Sequence, residues 1–583
     1  MSPGDQIMSQ RIVFKLENAD TAMARKTAAL FKRIVRERIN VPAVGKTGDG
    51  VINVIGSIEP GIGREGYRIQ DDPDGAIRIS GNDERGLLYG VGRFLRETDF
   101  QRGRVRPCRW RGSEVPTGEV RGIYFATHFH NFYHDAPISA VQRYVEELAL
   151  WGCNALLVWF DMHHYRGLRD PAAAAMIHRL RLILKAAEAV GITPGLTLLA
   201  NEAYADSPRK LRADWTAGHD GYHAPPGGHY HVEICPNKPG GLDAIVKARR
   251  AMLRTFKGID IGYAMIWPYD QGGCTCTACA PWGSNGYLKA AQPVAQAVKD
   301  LFPKAQIVLS TWYFDHFTQG EWPGLATAFK RRKPAWVDYL LVDDSGDRFP
   351  EYPIRNGVPG GFPMVNFTEI SMYNLWPWGA YGANPLARHL QQIWDVSGMH
   401  LAGGFPYSEG IFEDINKAVM LGFFWNRACK AEDTLVAYIG GYFGLAHVRE
   451  IAEAIALLEA NHPGRSAGYY LDGQPVYPWN RTGKPAAPYE IRYGTADAAG
   501  TRRAASRFRT LDRKLSPAVR RSWRWRILFL RALLDDCLAR SRGRPTPEAE
   551  AYFDELIAIF HAKNAELTVS PASLKALQRA WPS

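Results

Sequence analysis

Tyr263-Ala-Met-Ile-Trp267-Pro-Tyr-Asp270-Gln-Gly-Gly-Cys274-Thr-Cys276-Thr-Ala-Cys279 reads as a buried strand that ends in aromatics, one carboxylate and three closely spaced thiols. Apolar strands that end in functional side chains are what a parallel α/β barrel needs, because its strand ends converge on one mouth. Outward from this run, in both directions, the same strand-then-helix pattern repeats. The expected strands are Gly122–Ala126, Ala155–Phe160, Gly195–Ala200, Tyr263–Trp267, Gln306–Thr311, Tyr339–Val342, Met364–Phe367 and His400–Gly404. Amphipathic helices are expected between most of them, at Val141–Trp151, Ala172–Val190, Asp243–Arg254, Gly286–Leu301 and Asn384–Val396. Eight alternations predict a (β/α)8 TIM barrel within an α/β fold class. A doubly wound sheet also alternates, but no Gly-rich phosphate fingerprint follows any strand.

The flanks differ from this core. Residues 1–118 read as a small N-terminal α/β domain with a Pro, Gly and Arg-rich linker from Gln101 to Gly118. Asp72-Pro73-Asp74-Gly75 separates two of its short strands, since Pro presets one turn angle and Gly accepts positive φ. Asn82 is the expected cap of the helix that follows. The barrel is assigned 119–430, with an insertion at 201–241. Residues 431–583 carry helical spacing and read as an all-α C-terminal domain, through which a homodimer is plausible.

At 583 residues the chain exceeds one hydrophobic core. Its net charge of +12 raises a nucleic-acid reading. The excess is local, however: Arg502, Arg503, Arg507, Arg509, Arg513, Lys514, Arg520, Arg521, Arg524 and Arg526 crowd one helical region, and no nucleic-acid motif accompanies them. A solvated basic face, or one meeting acidic neighbours, accounts for the run. No nucleic-acid partner is expected. No apolar segment is long enough to span a bilayer, and residues 1–10 lack a signal core, so a cytoplasmic protein is expected unless a signal was removed. The eight cysteines do not read as a disulfide framework.

Acids recur just after the expected strands. Asp161 follows the second, Glu202 the third, Asp270 the fourth, Asp315 the fifth, Asp343 and Asp344 the sixth, Glu369 the seventh and Glu409 the eighth. His128 and His130 follow the first, and His163 and His164 lie beside Asp161. Any one acid serves a scaffold as readily as a reaction. Gathered together they repel, which a scaffold avoids unless a site uses it. Aromatics share these positions: Trp159, Trp312, Tyr313, Trp376 and Trp378, with Trp267. Core packing accounts for part of them, and a stacking surface for a carbohydrate for the rest. Glycoside cleavage pairs a protonated acid with a carboxylate that attacks the sugar or activates water. Asp270, in an aromatic and partly desolvated seat, is the candidate acid; Asp343, Asp344 and Glu369 are candidates for its partner. His128, His130, Trp159, Asp161, Glu202, Trp312, Tyr313, Asp344, Trp376, Trp378 and Glu409 are the expected substrate-binding set. Apart from Arg348 no arginine marks a strand end, so a uronic acid lacks an evident clamp.

The helix Glu84-Arg85-Gly-Leu-Leu-Tyr-Gly-Val-Gly-Arg-Phe-Leu95, followed by a barrel and a helical domain, resembles glycoside hydrolases of the family 20, 67 and 84 type, the β-hexosaminidases, α-glucuronidases and their relatives. The resemblance implies an exo-acting glycoside hydrolase with the fold described above. Family 20 places an adjacent Asp-Glu pair after strand four, where this chain has Tyr269-Asp270-Gln271. The family 67 arrangement fits better, mapping onto Asp270, Asp343 and Glu369 and implying inversion through an activated water. An acid after strand four and a nucleophile after strand seven is equally the plan of many retaining barrels.

Cys274, Cys276 and Cys279 form C-x-C-x-x-C, tight enough for one loop to wrap a tetrahedral ion. Cys235 is the natural fourth ligand, with His229 or His231 as substitutes. Reduced thiols or a disulfide are the metal-free alternative. Four thiolates would make a closed, structural zinc site, which would staple the 201–241 insertion to the Asp270 loop. Two other functions compete with the glycosidase: a zinc-dependent barrel hydrolase of amides or phosphoesters, built on His128, His130, His163 and His164, and a carbohydrate-binding protein without catalysis.

Overall fold

Each strand of the central sheet is an almost unbroken run of buried residues, the signature of strands covered on both faces. The computed structural model describes residues 11–39, 51–101, 104–127, 131–214, 232–268, 273–315, 319–344, 351–371, 382–461, 470–471, 474–475, 498–541, 546–560 and 562. Among these, eight parallel strands form the barrel: Val120–Phe125, Ala155–Trp159, Thr193–Leu199, Tyr263–Trp267, Gln306–Ser310, Tyr339–Asp344, Met364–Thr368 and Leu401–Gly404. Gly403 and Gly404 of the eighth pair with Val120 and Arg121 of the first, so the sheet closes on itself. The (β/α)8 barrel expected from the sequence is the architecture observed. Every strand lies within two residues of its predicted bounds.

Alternation divides each strand between two packing layers. Tyr124, Leu157, Trp159, Tyr263, Met265, Trp267, Leu341, Phe367 and Tyr407 belong to the cluster that fills the lumen. Ile123, Leu156, Val158, Ile266 and Val342 join the larger cluster beneath the outer helices. Aromatic rings fill much of the lumen, where branched aliphatics are commoner. Closure depends on Gly403, at φ +135°. A Cβ there would stand 1.7 Å from the Val120 carbonyl oxygen, so only glycine lets the eighth strand meet the first. Past this point the chain rejoins the first strand as Tyr407–Ser408, opposite Tyr124 and Phe125.

The N-terminal unit is a five-stranded sheet in the order Arg11–Glu17, Val51–Ile58, Ile77–Gly81, Tyr67–Asp71, Gly112–Glu114. Its last strand corrects the expected linker. Gly112–Glu114 pairs with Tyr67–Ile69, and Arg111 binds Asp71, so this part of Gln101–Gly118 is a sheet edge. Three residues are too few to show a period among Pro and Gly. The helix Glu84–Glu97 is capped by Asp83, whose carboxylate accepts from the Gly86 amide, while Asn82 instead accepts from the amides of Gly61, Ile62 and Gly63. The glycines of this helix allow close approach on two sides. A Cβ at Gly86 would stand 2.0 Å from the Gly66 carbonyl oxygen, and one at Gly92 would stand 2.1 Å from that of Leu150 on the barrel helix Ile138–Leu150.

Below the barrel, buried Glu65 binds Arg85 at 2.6 Å and Arg121 of the first strand. Burial alone would raise the carboxyl's pKa, but the two guanidiniums hold it at about 2. At the opposite flank Asp414, on the barrel helix Asp414–Trp425, accepts from Tyr144 at 2.6 Å, Tyr438 at 2.7 Å and Arg524 at 2.7 Å. Arg524 therefore leaves the expected basic face: it lies inside, between the barrel and the C-terminal helices, and also binds Glu147 at 2.6 Å. Arg502, Arg503, Arg507 and Arg513 of the same run are exposed. No helix among the described residues is long and apolar enough to cross a membrane.

Candidate functional site

At the C-terminal ends of the strands, side chains that keep the inward phase converge on the lumen. Trp267 meets Trp312 with ring centroids 5.0 Å apart, and Phe367 at 4.7 Å. Phe367 continues to Tyr407 at 5.7 Å and to Tyr124 at 5.3 Å, and Trp312 stacks against Tyr313 at 3.9 Å. Tyr313 and Asp315 both carry positive φ, +56° and +61°, an uncommon backbone for residues with side chains. Asp315 secures the start of the helix Glu321–Arg331. Its carboxylate accepts from the Glu321 amide at 2.6 Å, and Glu321 accepts from the Asp315 amide at 3.0 Å.

The same phase sorts the acids. Asp343 stands two residues beyond Leu341, Glu369 two beyond Phe367, and Glu409 two beyond Tyr407, all lumen residues. Asp343 lies opposite Phe367 in the pairing of strands six and seven. Asp344 ends its strand opposite Thr368. Glu369 pairs with Tyr407 through an isolated bridge, and its Oε1 accepts from the Ser371 amide at 2.7 Å. Tyr407 donates its hydroxyl to the fully buried Glu409. Burial pushes the Tyr407 phenol well above its ordinary pKa, and the charges of Glu409 and Glu369 push it further, so it remains a donor. Glu413 fixes this corner from behind, accepting from the amides of Glu409 and Gly410 at 2.8 Å each and from Ser408 at 2.7 Å.

Glu202 follows its strand out of phase, three residues after the lumen residue Leu199. It is buried behind the mouth, where Oε1 accepts from His163 Nδ1 at 2.8 Å and Oε2 from Trp159 Nε1 at 3.3 Å. Fully buried Arg249, on the helix Gly241–Arg254, lies 3.5 Å away. Glu202 therefore orients Trp159 and His163. In front of it, Asp161 binds His164 Nδ1 at 2.5 Å. Burial opposes charge on His164, yet Asp161 lifts its pKa above the ordinary imidazole value. Ligand atoms of Asp161, His163 and His164 lie within 4.8 Å of one another.

Of the other expected residues, His128, His130, Asp270, Arg348, Trp376, Trp378, His229 and His231 lie outside the described residues. Pro268 and Gly273, on either side of Asp270 in the chain, are both held by Trp282. Trp282 donates its indole to the Pro268 carbonyl at 2.7 Å, and Gly273, at φ +62°, sits against the same ring. Directly beyond, the structure brings Cys235, Cys274, Cys276 and Cys279 together, with Cys235 Sγ 3.7 Å from Cys279 Sγ and 3.8 Å from Cys276 Sγ. All eight cysteines are free thiols. Sequence reasoning missed Tyr124, Phe367 and Tyr407. The first two keep the inward phase of predicted strands and were open to detection. Tyr407 was hidden by Pro406, which breaks the local pattern.

No family model and no curated protein matches the sequence of this chain. Solved structures do match its shape. A family 89 glycoside hydrolase from Clostridium perfringens, in complex with GlcNAc-α-1,4-galactose, superposes with a TM-score of 0.60 at 13% identity, covering 96% of this chain and 66% of its own. A family 115 4-O-methyl-α-glucuronidase with specificity for decorated arabinogalactans gives 0.59 at 12% identity, covering 97% and 78%. A family 138 enzyme targeting the pectin rhamnogalacturonan II gives 0.55 at 11%, covering 98% and 72%. The chain has the fold of these glycoside hydrolases. Nearly all of it takes part in the match, the N-terminal sheet and C-terminal helices included.

Proposed function

We propose that this protein is an exo-acting glycoside hydrolase that releases a terminal sugar by a two-carboxylate mechanism. The observation that carries the reading is the placement of Asp343, Glu369 and Glu409 in lumen phase at the strand ends, next to the ring cluster of Trp267, Trp312, Phe367 and Tyr407. Trp312 and Tyr313, half-buried at the rim of this wall, offer stacking faces to a pyranose, and the acids supply proton transfer beside it. Asp270, which follows strand four in the chain between Pro268 and Gly273, is assigned the general acid. Glu369 is assigned the partner that attacks the sugar or activates water, with Asp343 beside it. Tyr407 holds Glu409 and stands next to Glu369, which suits a positioning role for both. Structural neighbours specific for decorated arabinogalactans or targeting pectin support a polysaccharide-derived substrate.

A panel of nitrophenyl glycosides, with the product anomer followed by NMR, tests this directly. Turnover of at least one glycoside is expected, abolished in Asp270→Asn and Glu369→Gln. Wild-type protein that binds sugars but cleaves none of the panel would favour a carbohydrate-binding function. The Asp161, His163 and His164 group supports a second reading, a metal-dependent hydrolase of amides or phosphoesters. Loss of activity on chelation, restored by added metal and sensitive to His163→Ala, would favour it.

A further inference from the structure

The geometry points to a closed, structural zinc site made by Cys235, Cys274, Cys276 and Cys279, which ties the segment after strand three to the segment that follows strand four. Zinc binds thiolate sulfur at about 2.3 Å, so the edge of its tetrahedron is about 3.8 Å. The Cys235 sulfur lies 3.7 and 3.8 Å from those of Cys279 and Cys276. A disulfide needs a separation of about 2.0 Å. The four ligand atoms fall within 4.8 Å of one another, and three of the four residues are buried.

The surroundings match thiolate ligands. Asn237 directs its side-chain amide at Cys279 Sγ, 3.0 Å away, and the Asp214 amide donates to Cys274 Sγ at 3.4 Å. The amides of Cys279 and Ala280 donate to the Cys276 carbonyl at 2.8 and 3.0 Å, a tight turn that points Cys276 and Cys279 the same way. Two chain segments are thereby joined. One holds Cys235 and, through Asp214, binds Thr275 by two further hydrogen bonds, 2.9 Å from its amide and 2.6 Å from its hydroxyl. The other begins at Gly273, which lies against the Trp282 ring. With four sulfur ligands no position is open for water or substrate, so the ion holds structure and takes no part in the reaction. The inference stands whether or not the protein cleaves glycosides.

Metal analysis of the full chain, purified without chelators, should find one zinc per chain, and mercurial titration of the thiols should release it stoichiometrically. Cys235→Ser should lose the zinc, whereas Cys429→Ser, outside the cluster, should keep it. Because Cys235→Ser can fail to fold, cobalt exchanged into wild-type protein provides a second measurement: sulfur-to-metal charge-transfer absorption of a tetrahedral four-thiolate centre. Hydrogen exchange should rise in 232–241 and 273–286 on zinc removal, with 51–81 unchanged. Metal-free native protein, bound iron in place of zinc, a cobalt spectrum of nitrogen or oxygen ligands, or unchanged exchange in those segments would each overturn the proposal.

Discussion

The two ends of the barrel treat carboxylates in opposite ways. At the floor, buried Glu65 sits between Arg85 and Arg121, a pairing that joins the N-terminal sheet to the first strand. At the mouth, Asp343, Glu369 and Glu409 share one lumen face, and Tyr407 lies within the field of two of them. The floor arrangement repays the desolvation of each charge with an opposite charge, which is how a scaffold buries an acid. The mouth sets three acids along one phase of the strand ends, the arrangement that the proposed two-carboxylate reaction would use. Glu202, also at the mouth end, is buried against His163, Trp159 and Arg249.

The largest test of that contrast is Glu369→Gln. Loss of an acid–base or nucleophilic carboxylate should lower kcat by about a thousandfold or more while leaving the thermal midpoint nearly unchanged. Steady-state kinetics beside a melting curve would separate the two, and a variant that melts early with kcat intact would erase the contrast. Glu202→Gln should show the reverse. Stranding buried Arg249 is expected to cost about 4 kcal/mol by urea unfolding, with activity lost only as Trp159 and His163 lose their support.

Glu65→Gln should cost roughly 3 kcal/mol at pH 7, from a carboxyl held at about 2 against an ordinary 4.5. The sign follows from a lowered pKa. Stabilisation is complete above the unfolded-state value and disappears as pH falls through the folded one. Unfolding free energies of wild type and variant should therefore converge between about pH 4.5 and 2. A constant gap across that window would mean that packing, and not charge, binds the two units. The smallest effect is expected for Tyr407→Phe. Removing the donor to buried Glu409 should cost about 1–3 kcal/mol and lower kcat about tenfold, without changing which glycoside is preferred.

Much of this was legible in the chain. Eight strands were placed by local apolar runs and by the helices between them, because burial on both faces leaves a continuous apolar signature at each strand. The positions of Asp343, Glu369 and Glu409 just past their strands followed from the strand placement, and the three thiols were grouped by spacing alone. The linker was misjudged because Gly112–Glu114 owes its strand to Tyr67–Ile69, far earlier in the chain, and not to its own composition. Asp315 and Glu202 follow their strands as the other acids do, and their contacts, Asp315 with Glu321 and Glu202 with His163, Trp159 and Arg249, join residues that no local pattern pairs.

The sequence alone determined the order of elements, the barrel and the set of residues that end its strands, because periodicity and turn chemistry act over a few neighbours. Only the tertiary structure decided that Tyr407 joins Glu369 to Glu409, that Arg524 lies inside, that Glu202 meets Arg249 and that Gly112–Glu114 joins the N-terminal sheet. Those outcomes depend on barrel closure at Gly403 and on pairings between distant segments, for which no local pattern carries information.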